Sequence, residues 1–332
     1  MQIQALRQTG FSGSGFLSAQ RLRTTILSRP PASDLASRGF RGGEQAARDR
    51  LDRAAATFMQ GYRLALRDVQ PQELTVRLNR IENAWRGFAF EGAAMALALL
   101  DKLSFSRRDR LVRFSRSQAK RHIYMIHVGF GWALARFPWK VEKQAVSSHA
   151  LLGWLALDGF GFHQGFFRTS SYVERRKRPR GLSSSALRVV DQGLGRSLWF
   201  VKVADPRRIA ETISRFDSSR RPDLWSGVGL ACAYAGAPDA GHMRALIRGA
   251  EATGAGLDFR QGVAFAAAAR ERAGNPAPHT ESASRFICGK SPEELSQLCE
   301  QVAQHPSPKG SETLYEAWRR GLREALADSA GC

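Results

Sequence analysis

Apolar residues return at helical spacing along most of this chain. Between Glu44 and Asp68, the positions Leu51, Ala55, Phe58, Tyr62 and Ala65 fall at alternating steps of four and three. That spacing predicts a helix with one buried face. Gln70-Pro71 breaks the pattern, and Glu73 to Ala84 resumes it. Phe88 to Leu103 is rich in Ala and Leu and apolar all round, which predicts a helix buried on every side. His122 to Phe137 and Trp139 to Leu157 read as two more apolar helices. Ser183 or Ser184 can cap a helix through Arg188 to Phe200. Asp205-Pro206 starts another, with an N-cap acid and Pro at the first position. Leu224 to Ala235, Ala240 to Glu251, Arg260 to Ala273 and Ser311 to Ala327 follow, and Ser291-Pro292-Glu293-Glu294 reads as a capping box. No stretch reads convincingly as a strand. The pattern predicts an all-α protein.

Inside these helices one phrase recurs, glycine, a hydrophobe, then a small residue. It reads Gly129-Phe130-Gly131-Trp132, Gly159-Phe160-Gly161-Phe162, Gly193-Leu194-Gly195-Arg196, Gly227-Val228-Gly229-Leu230 and Gly262-Val263-Ala264-Phe265. Upstream stand Gly87-Phe88-Ala89-Phe90 and, more loosely, Gly61-Tyr62-Arg63-Leu64. The first glycines are 26, 42, 30, 34, 34 and 35 residues apart. A near-constant step of that size marks stacked helical units. No copy completes G-x-G-x-x-G after a strand, so a dinucleotide turn is the weaker reading. Glycine inside a helix costs about 1 kcal/mol relative to Ala. Repeating that cost makes sense where neighbouring helices must approach closely. The expectation is a repeat-like array of antiparallel helices packed through Gly- and Ala-rich faces. It occupies residues 36–328 as a single domain, after a flexible lead-in over residues 1–35. Arg38-Gly39-Phe40-Arg41-Gly42-Gly43 lacks a following Gly-Lys-Ser/Thr and reads as a plain turn.

Charge adds a second theme. The 332 residues hold 50 Lys plus Arg against 30 Asp plus Glu, a formal net charge of +20. That implies attraction to an anionic partner, with an acidic carrier protein or an anionic membrane surface as candidates. Ser104 to Arg121 reads as an amphipathic basic helix carrying Arg107, Arg108, Arg110, Arg113, Arg116, Lys120 and Arg121. Glu174 to Arg180 reads as an exposed basic linker. The basic runs lack interleaved aromatic platforms, which ranks nucleic acid low. The four cysteines show no metal or disulfide spacing, and no apolar run is long enough to span a bilayer. The expected setting is cytoplasmic, with peripheral membrane contact compatible.

The candidate chemistry lies in polar residues embedded in the apolar helices: Glu91, His127, Asp158, His163, Asp191, Gln192 and Arg196. Buried charges are costly unless paired or used. Asp158 and His163 are five apart, as are Asp191 and Arg196, so members of each pair point about 140° apart and reach different neighbours. One reading is a polar network tying repeats together. The other is catalytic. A desolvated acid has a raised pKa and can donate a proton, and aromatic faces stabilise cations. Glu91, Asp158 or Asp191 would supply the proton, with His163 and Arg196 tuning it. Trp154, Phe160, Phe162, Phe167, Trp199 and Trp225 would bind an apolar ligand. No motif for a metal or cofactor is visible, so none is expected. His279, in the loop Gly274-Asn275-Pro276-Ala277-Pro278-His279-Thr280, reads as an exposed polar contact.

Several of these stretches also resemble one family. Phe88-Ala-Phe-Glu-Gly92, Leu157-Asp-Gly-Phe-Gly-Phe-His-Gln-Gly165, Asp191-Gln-Gly-Leu-Gly-Arg-Ser-Leu-Trp-Phe200, Leu224-Trp-Ser-Gly-Val-Gly-Leu-Ala-Cys-Ala-Tyr234 and Gly274 to Thr280 are similar to the DUF1702 family. That family comprises UnbL-type proteins of enediyne and other bacterial polyketide gene clusters. The likeness runs in order from about residue 35 to 325. It implies a role in specialised-metabolite biosynthesis with a polyene-like, isoprenoid or polyketide intermediate, and it names no reaction.

Overall fold

A computed structural model describes residues 35–328, apart from 68, 69, 105–108, 139 and 237, all within the unit Ala32–Cys332. Residues 1–34 of the expected lead-in over 1–35, together with Arg107, Arg108 and Trp139, lie outside the described residues, while Leu35 is buried in the core. Among the described residues there is helix and no strand. Nine helices organise the rest: α1 (Gln45–Ala65), α2 (Asn83–Leu103), α3 (Ile123–Arg136), α4 (Leu155–Phe167), α5 (Ser184–Val201), α6 (Arg221–Ala235), α7 (Gly256–Ala273), α8 (Pro292–Gln304) and α9 (Leu314–Asp328). Shorter returns join α1 to α8, such as Pro206–Ser214 between α5 and α6 and Ala240–Glu251 between α6 and α7. Antiparallel alternation is that of long helix and return. Neighbouring long helices from α1 to α7 run parallel, because like ends meet, while α9 runs against α7, with Arg323 at Asp258, Arg319 at Gln261 and Tyr315 at Phe265. Arg188 reaches Asp223 near the starts of α5 and α6, and the Trp199 indole donates to Gly236 O at their far ends. Trp225 packs on Phe259 at the starts of α6 and α7, and Arg270 donates to Tyr234 O at their ends.

Glycine sets the spacing between these helices. A Cβ added to Gly159 would overlap Val128 O, and one on Gly161 would overlap Val190 O. The first glycine of the phrase faces the preceding helix and the second faces the following one. Gly193 meets Asp158 O and Gly195 meets Leu224 O, while Gly227 meets Gln192 O and Gly229 meets Phe259 O. Each interface from α3 to α7 is thus sealed by two glycines, one from each partner, set against backbone, whereas between α2 and α3 Gly129 meets Glu91 O and Ala94. In α2 the glycine doing this is Gly92, against Phe58 O, while Gly87 admits the Tyr234 hydroxyl. The phrase is therefore anchored at Gly92 in α2, and Gly61, which meets Ala89 O of the following helix, is the second position of α1, so the first positions are Met59, Gly92 and Gly129, at steps of 33 and 37 in place of 26 and 42.

Local signals hold at several ends. Asp205 accepts from the backbone N–H groups of Arg207 and Arg208, and Ser183 caps α5 through the Ala186 N–H. The Ser291–Glu294 capping box makes both of its hydrogen bonds. Four predicted spans change. The stretch expected to be helical over Glu73 to Ala84 breaks at residues 80–82, between a helix Pro71–Asn79 and α2. The stretch expected as one helix from Trp139 to Leu157 is a short helix Val141–Val146, then a 3-10 turn, with α4 beginning at Leu155. Ser147 and Ser148 turn their hydroxyls back onto Lys143 O and Ala145 O, competing with helix continuation. Of the basic helix expected over Ser104 to Arg121, the described residues form an α-helix over Arg110–Arg116 and a 3-10 turn over Gln118–His122. Ser117 ends the α-helix by accepting from the Ala119 N–H. Finally, Pro278–Ala283 is a helical turn within the expected Pro-rich loop.

Candidate functional site

From α2 to α7, the residue before the glycine that meets the preceding helix points into the bundle. In successive helices these are Glu91, Val128, Asp158, Gln192, Ser226 and Gln261. From α4 to α7 they form a ladder. The Gln192 amide donates to Asp158 Oδ2 at 2.9 Å, and Ser226 Oγ donates toward Gln261 Oε1 at 3.1 Å and Gln192 Oε1 at 3.4 Å. Gln192 also donates to the Tyr315 hydroxyl at 3.0 Å, and Arg319 Nε donates to Gln261 Oε1 at 3.2 Å. Arg319 pairs with Asp223 at 2.7 Å, both fully buried. A buried polar ladder of this kind ties helices into one register.

At the head of the ladder sits a cluster of one guanidinium and two carboxyls. Arg196 Nε lies 2.8 Å from Asp158 Oδ1, and its NH2 lies 3.9 Å from Glu91 Oε1. All three side chains are buried. The Trp132 indole N–H donates to Glu91 Oε1 at 2.9 Å, and the Arg196 guanidinium lies 4.7 Å from the Phe162 ring centre. Arg196 sits nearer Asp158, so burial dominates at Glu91. Desolvation pushes the Glu91 carboxyl up to about 7, with Arg196 and the Trp132 hydrogen bond opposing and the Asp158 charge adding to the rise. One guanidinium neutralises one carboxyl, and a proton on the other leaves the cluster without net charge. That is the state a dry interior favours.

Asp158 and Arg196 also form the polar part of the wall of a cavity of about 40 Å³. The rest of its wall is apolar or aromatic: Phe88, Tyr124, Met125, Val128, Leu155, Phe200, Leu230, Tyr234, Phe265, Trp318 and small alanines. By the volume one water needs, it has room for two or three.

The predicted residues divide sharply. Glu91, Asp158 and Arg196 come together. Asp191 does not join them: its carboxylate accepts from Arg220 Nε (2.9 Å) and NH2, and lies 3.9 Å from Arg178. Its neighbour Gln192 occupies the position matching Asp158, since a shift of one residue turns the side chain by about 100°. His163 faces Trp132 and Phe167, its Nδ1 lacks a hydrogen-bond partner, and burial pulls its pKa down to about 3. Among the six predicted ligand-binding aromatics, Trp154, Phe160, Phe162, Phe167, Trp199 and Trp225, none is on the cavity wall. Phe162 and Phe167 pack behind Arg196 with Trp132 and Phe166, and Trp199 bonds to backbone. Trp154 and Phe160 are core, and Trp225 packs on Phe259. His279, expected to be exposed, is half-buried: Arg50 contacts its Nδ1 at 2.6 Å and Tyr234 O lies 2.9 Å from its Nε2.

The wall aromatics escaped the sequence reading. For two wall residues a signal existed. Arg196, Leu230 and Phe265 each lie three residues after the first glycine of their phrase, so the register assigned from Arg196 finds Leu230 and Phe265. Trp318 comes from α9, outside the repeat, and no pattern marks it. Among the described residues, no three His, Cys, Asp or Glu side chains gather as a metal site, and no helix is long and apolar enough to cross a membrane.

The family described as "Protein of unknown function (DUF1702)" matches residues 18–326, nearly the whole chain, and the chain belongs to it. No curated protein and no solved structure matches.

Proposed function

We propose that this protein binds a long apolar, unsaturated intermediate of bacterial specialised metabolism, of polyene, isoprenoid or polyketide type. In this reading it isomerises or cyclises that intermediate by protonation. The observation that carries the reading is Glu91. It is a carboxyl raised to about 7, joined through Arg196 to Asp158 on the wall of an aromatic cavity. An acid poised near the working pH is an effective proton donor. Adding its proton to an alkene carbon leaves a carbocation, which the faces of Phe88, Phe200, Phe265 and Trp318 can stabilise. Loss of a proton from a neighbouring carbon back to the cluster closes the cycle, with no other reactant consumed. Glu91 is not on the cavity wall and the cavity is far smaller than such a ligand, so binding must part its walls to bring the carboxyl to the alkene.

The test uses a conjugated polyene, followed by absorbance and product analysis. Wild-type protein is expected to convert it, Glu91→Gln to bind it without turnover, and Asp191→Asn to retain turnover wherever it stays folded. Equal turnover by Glu91→Gln would sink the assignment.

A second reading is a non-catalytic protein that docks an acidic carrier protein or an anionic membrane. It is favoured by the exposed Arg113, Arg116, Lys120 and Arg121 beside exposed Val112. It predicts association that weakens steeply with salt and no product from any polyene.

A further inference from the structure

The basic segment after α4 is not a loose solvated run. Arg168, Ser171, Tyr172, Lys177, Arg178, Pro179 and Arg180 line an open cleft of about 540 Å³, four cations and no carboxylate. The backbone that shapes it is bonded into place. The N–H groups of Ser171 and Tyr172 donate to Arg168 O, that of Arg175 to Ser170 O, and that of Lys177 to Ser171 O. Arg176 adopts a left-handed φ of 52°, a conformation that costs a non-glycine residue about 1 kcal/mol or more. A buried cation holds it there. Arg220, 2% exposed, donates from NH1 to Arg176 O at 2.7 Å, while its Nε and NH2 grip Asp191. This gives Asp191 a purpose: it anchors Arg220, which anchors the loop.

The lining cations are left without matching acids. Asp191 is taken by Arg220, and Arg178 reaches it only at 3.9 Å. Among the described residues, no carboxylate lies within ion-pair distance of Arg168, Lys177 or Arg180. Ser171 Oγ accepts from Arg175 and keeps its own proton to donate, and the Tyr172 hydroxyl is a second donor. The cleft volume falls in the range of small-molecule sites. Forked guanidinium donors beside hydroxyls match the oxygens of a phosphoryl group.

We propose that this cleft binds a phosphoryl group, as a phosphomonoester or diphosphate, at a site separate from the interior cavity. The proposal goes beyond the protonation reading and does not depend on it, since binding is read without turnover.

The experiment titrates inorganic pyrophosphate into the full chain by calorimetry at 0.15 M salt, beside phosphatidic acid vesicles with phosphatidylcholine vesicles as the blank. Saturable binding is expected in at least one arm, weakened about tenfold or more by Lys177→Ala/Arg180→Ala, both exposed side chains whose removal spares the fold. The control Arg244→Ala/Arg248→Ala, two exposed arginines of the return Ala240–Glu251, leaves it unchanged. Pyrophosphate binding identifies a soluble ligand, and binding confined to phosphatidic acid identifies a lipid headgroup. No binding in either arm overturns the proposal. So does binding that the control pair weakens as much as the cleft pair, because that is diffuse charge and not a site.

Discussion

Two copies of the glycine phrase look alike and do opposite things. In α4, Asp158 precedes Gly159 and faces the cavity. In α5, Asp191 precedes Gly193 by two residues and faces outward to Arg220, while Gln192 takes the inner position and Arg196 enters the cavity wall. The inner acid of one helix and the inner base of the next make the ion pair of the site. The outer acid serves the loop after α4. One residue of register, about 100° of rotation, separates a candidate proton-transfer cluster from a structural anchor.

The first way to break this comparison is to push the helices apart. Gly193→Leu would drive its side chain into Asp158 O and the Phe162 backbone, so the expected result is no cooperative thermal unfolding transition. Next come the two acids. Asp158→Asn strands Arg196 and Asp191→Asn strands Arg220, each a buried arginine, so each should cost roughly 3–5 kcal/mol in denaturant unfolding. Stability alone therefore does not distinguish them. The proton does. Removing the Asp158 charge frees Arg196 for Glu91 and removes a neighbouring negative charge, so the Glu91 pKa should fall in Asp158→Asn and stay put in Asp191→Asn.

Glu91 itself comes third. Its folded pKa, about 7, stands above its ordinary 4.5. A raised carboxyl binds its proton more tightly in the folded state, so its stabilising effect is complete below pH 4.5 and is lost as pH rises through about 7. The loss approaches roughly 3 kcal/mol, at 1.36 kcal/mol per pKa unit. Measured by urea unfolding between pH 4.5 and 8, the difference between wild type and Glu91→Gln should change in that window and level off above it. Buried histidines act the other way. His122, His163 and His279 are held down to about 3 and His127 to about 4, chiefly by burial. Their contribution is present above pH 6.5 and lost as pH falls below it. The acid limb should therefore flatten when His163 is replaced by Phe.

The smallest expected effect contrasts two other glycines. Gly87→Ala meets a side-chain hydroxyl and should cost about 1 kcal/mol or more. Gly241→Ala, exposed in a return helix, should gain about 0.5–1 kcal/mol. The pair separates glycines that seal interfaces from those that merely occur in helices.

What the residues made legible follows the same divide. Helical spacing and caps marked the elements because those signals are local. Counting the glycine phrase pointed to close packing, because backbone contact leaves no alternative residue. Its register in α2 was misjudged. Gly87 and Gly92 both stand in an all-apolar helix, and only the neighbouring helix tells which one it touches. The inner acids Glu91 and Asp158 were visible as charges in apolar surroundings. The outward turn of Asp191 was not, since Arg220 lies 29 residues away across a return. Of the cavity aromatics only Phe265 shares the register of Arg196, and the others were beyond reach because they come from α2, α3, α5, α6 and α9 at positions the phrase does not mark.

The central claim is that the interior holds a carboxyl able to donate a proton near neutral pH. Its most direct test is the pH titration of the Glu91 side-chain carboxyl by carbon-13 NMR, assigned by loss of the signal in Glu91→Gln. The account predicts a midpoint near 7. A midpoint at the ordinary glutamate value near 4.5 would contradict it.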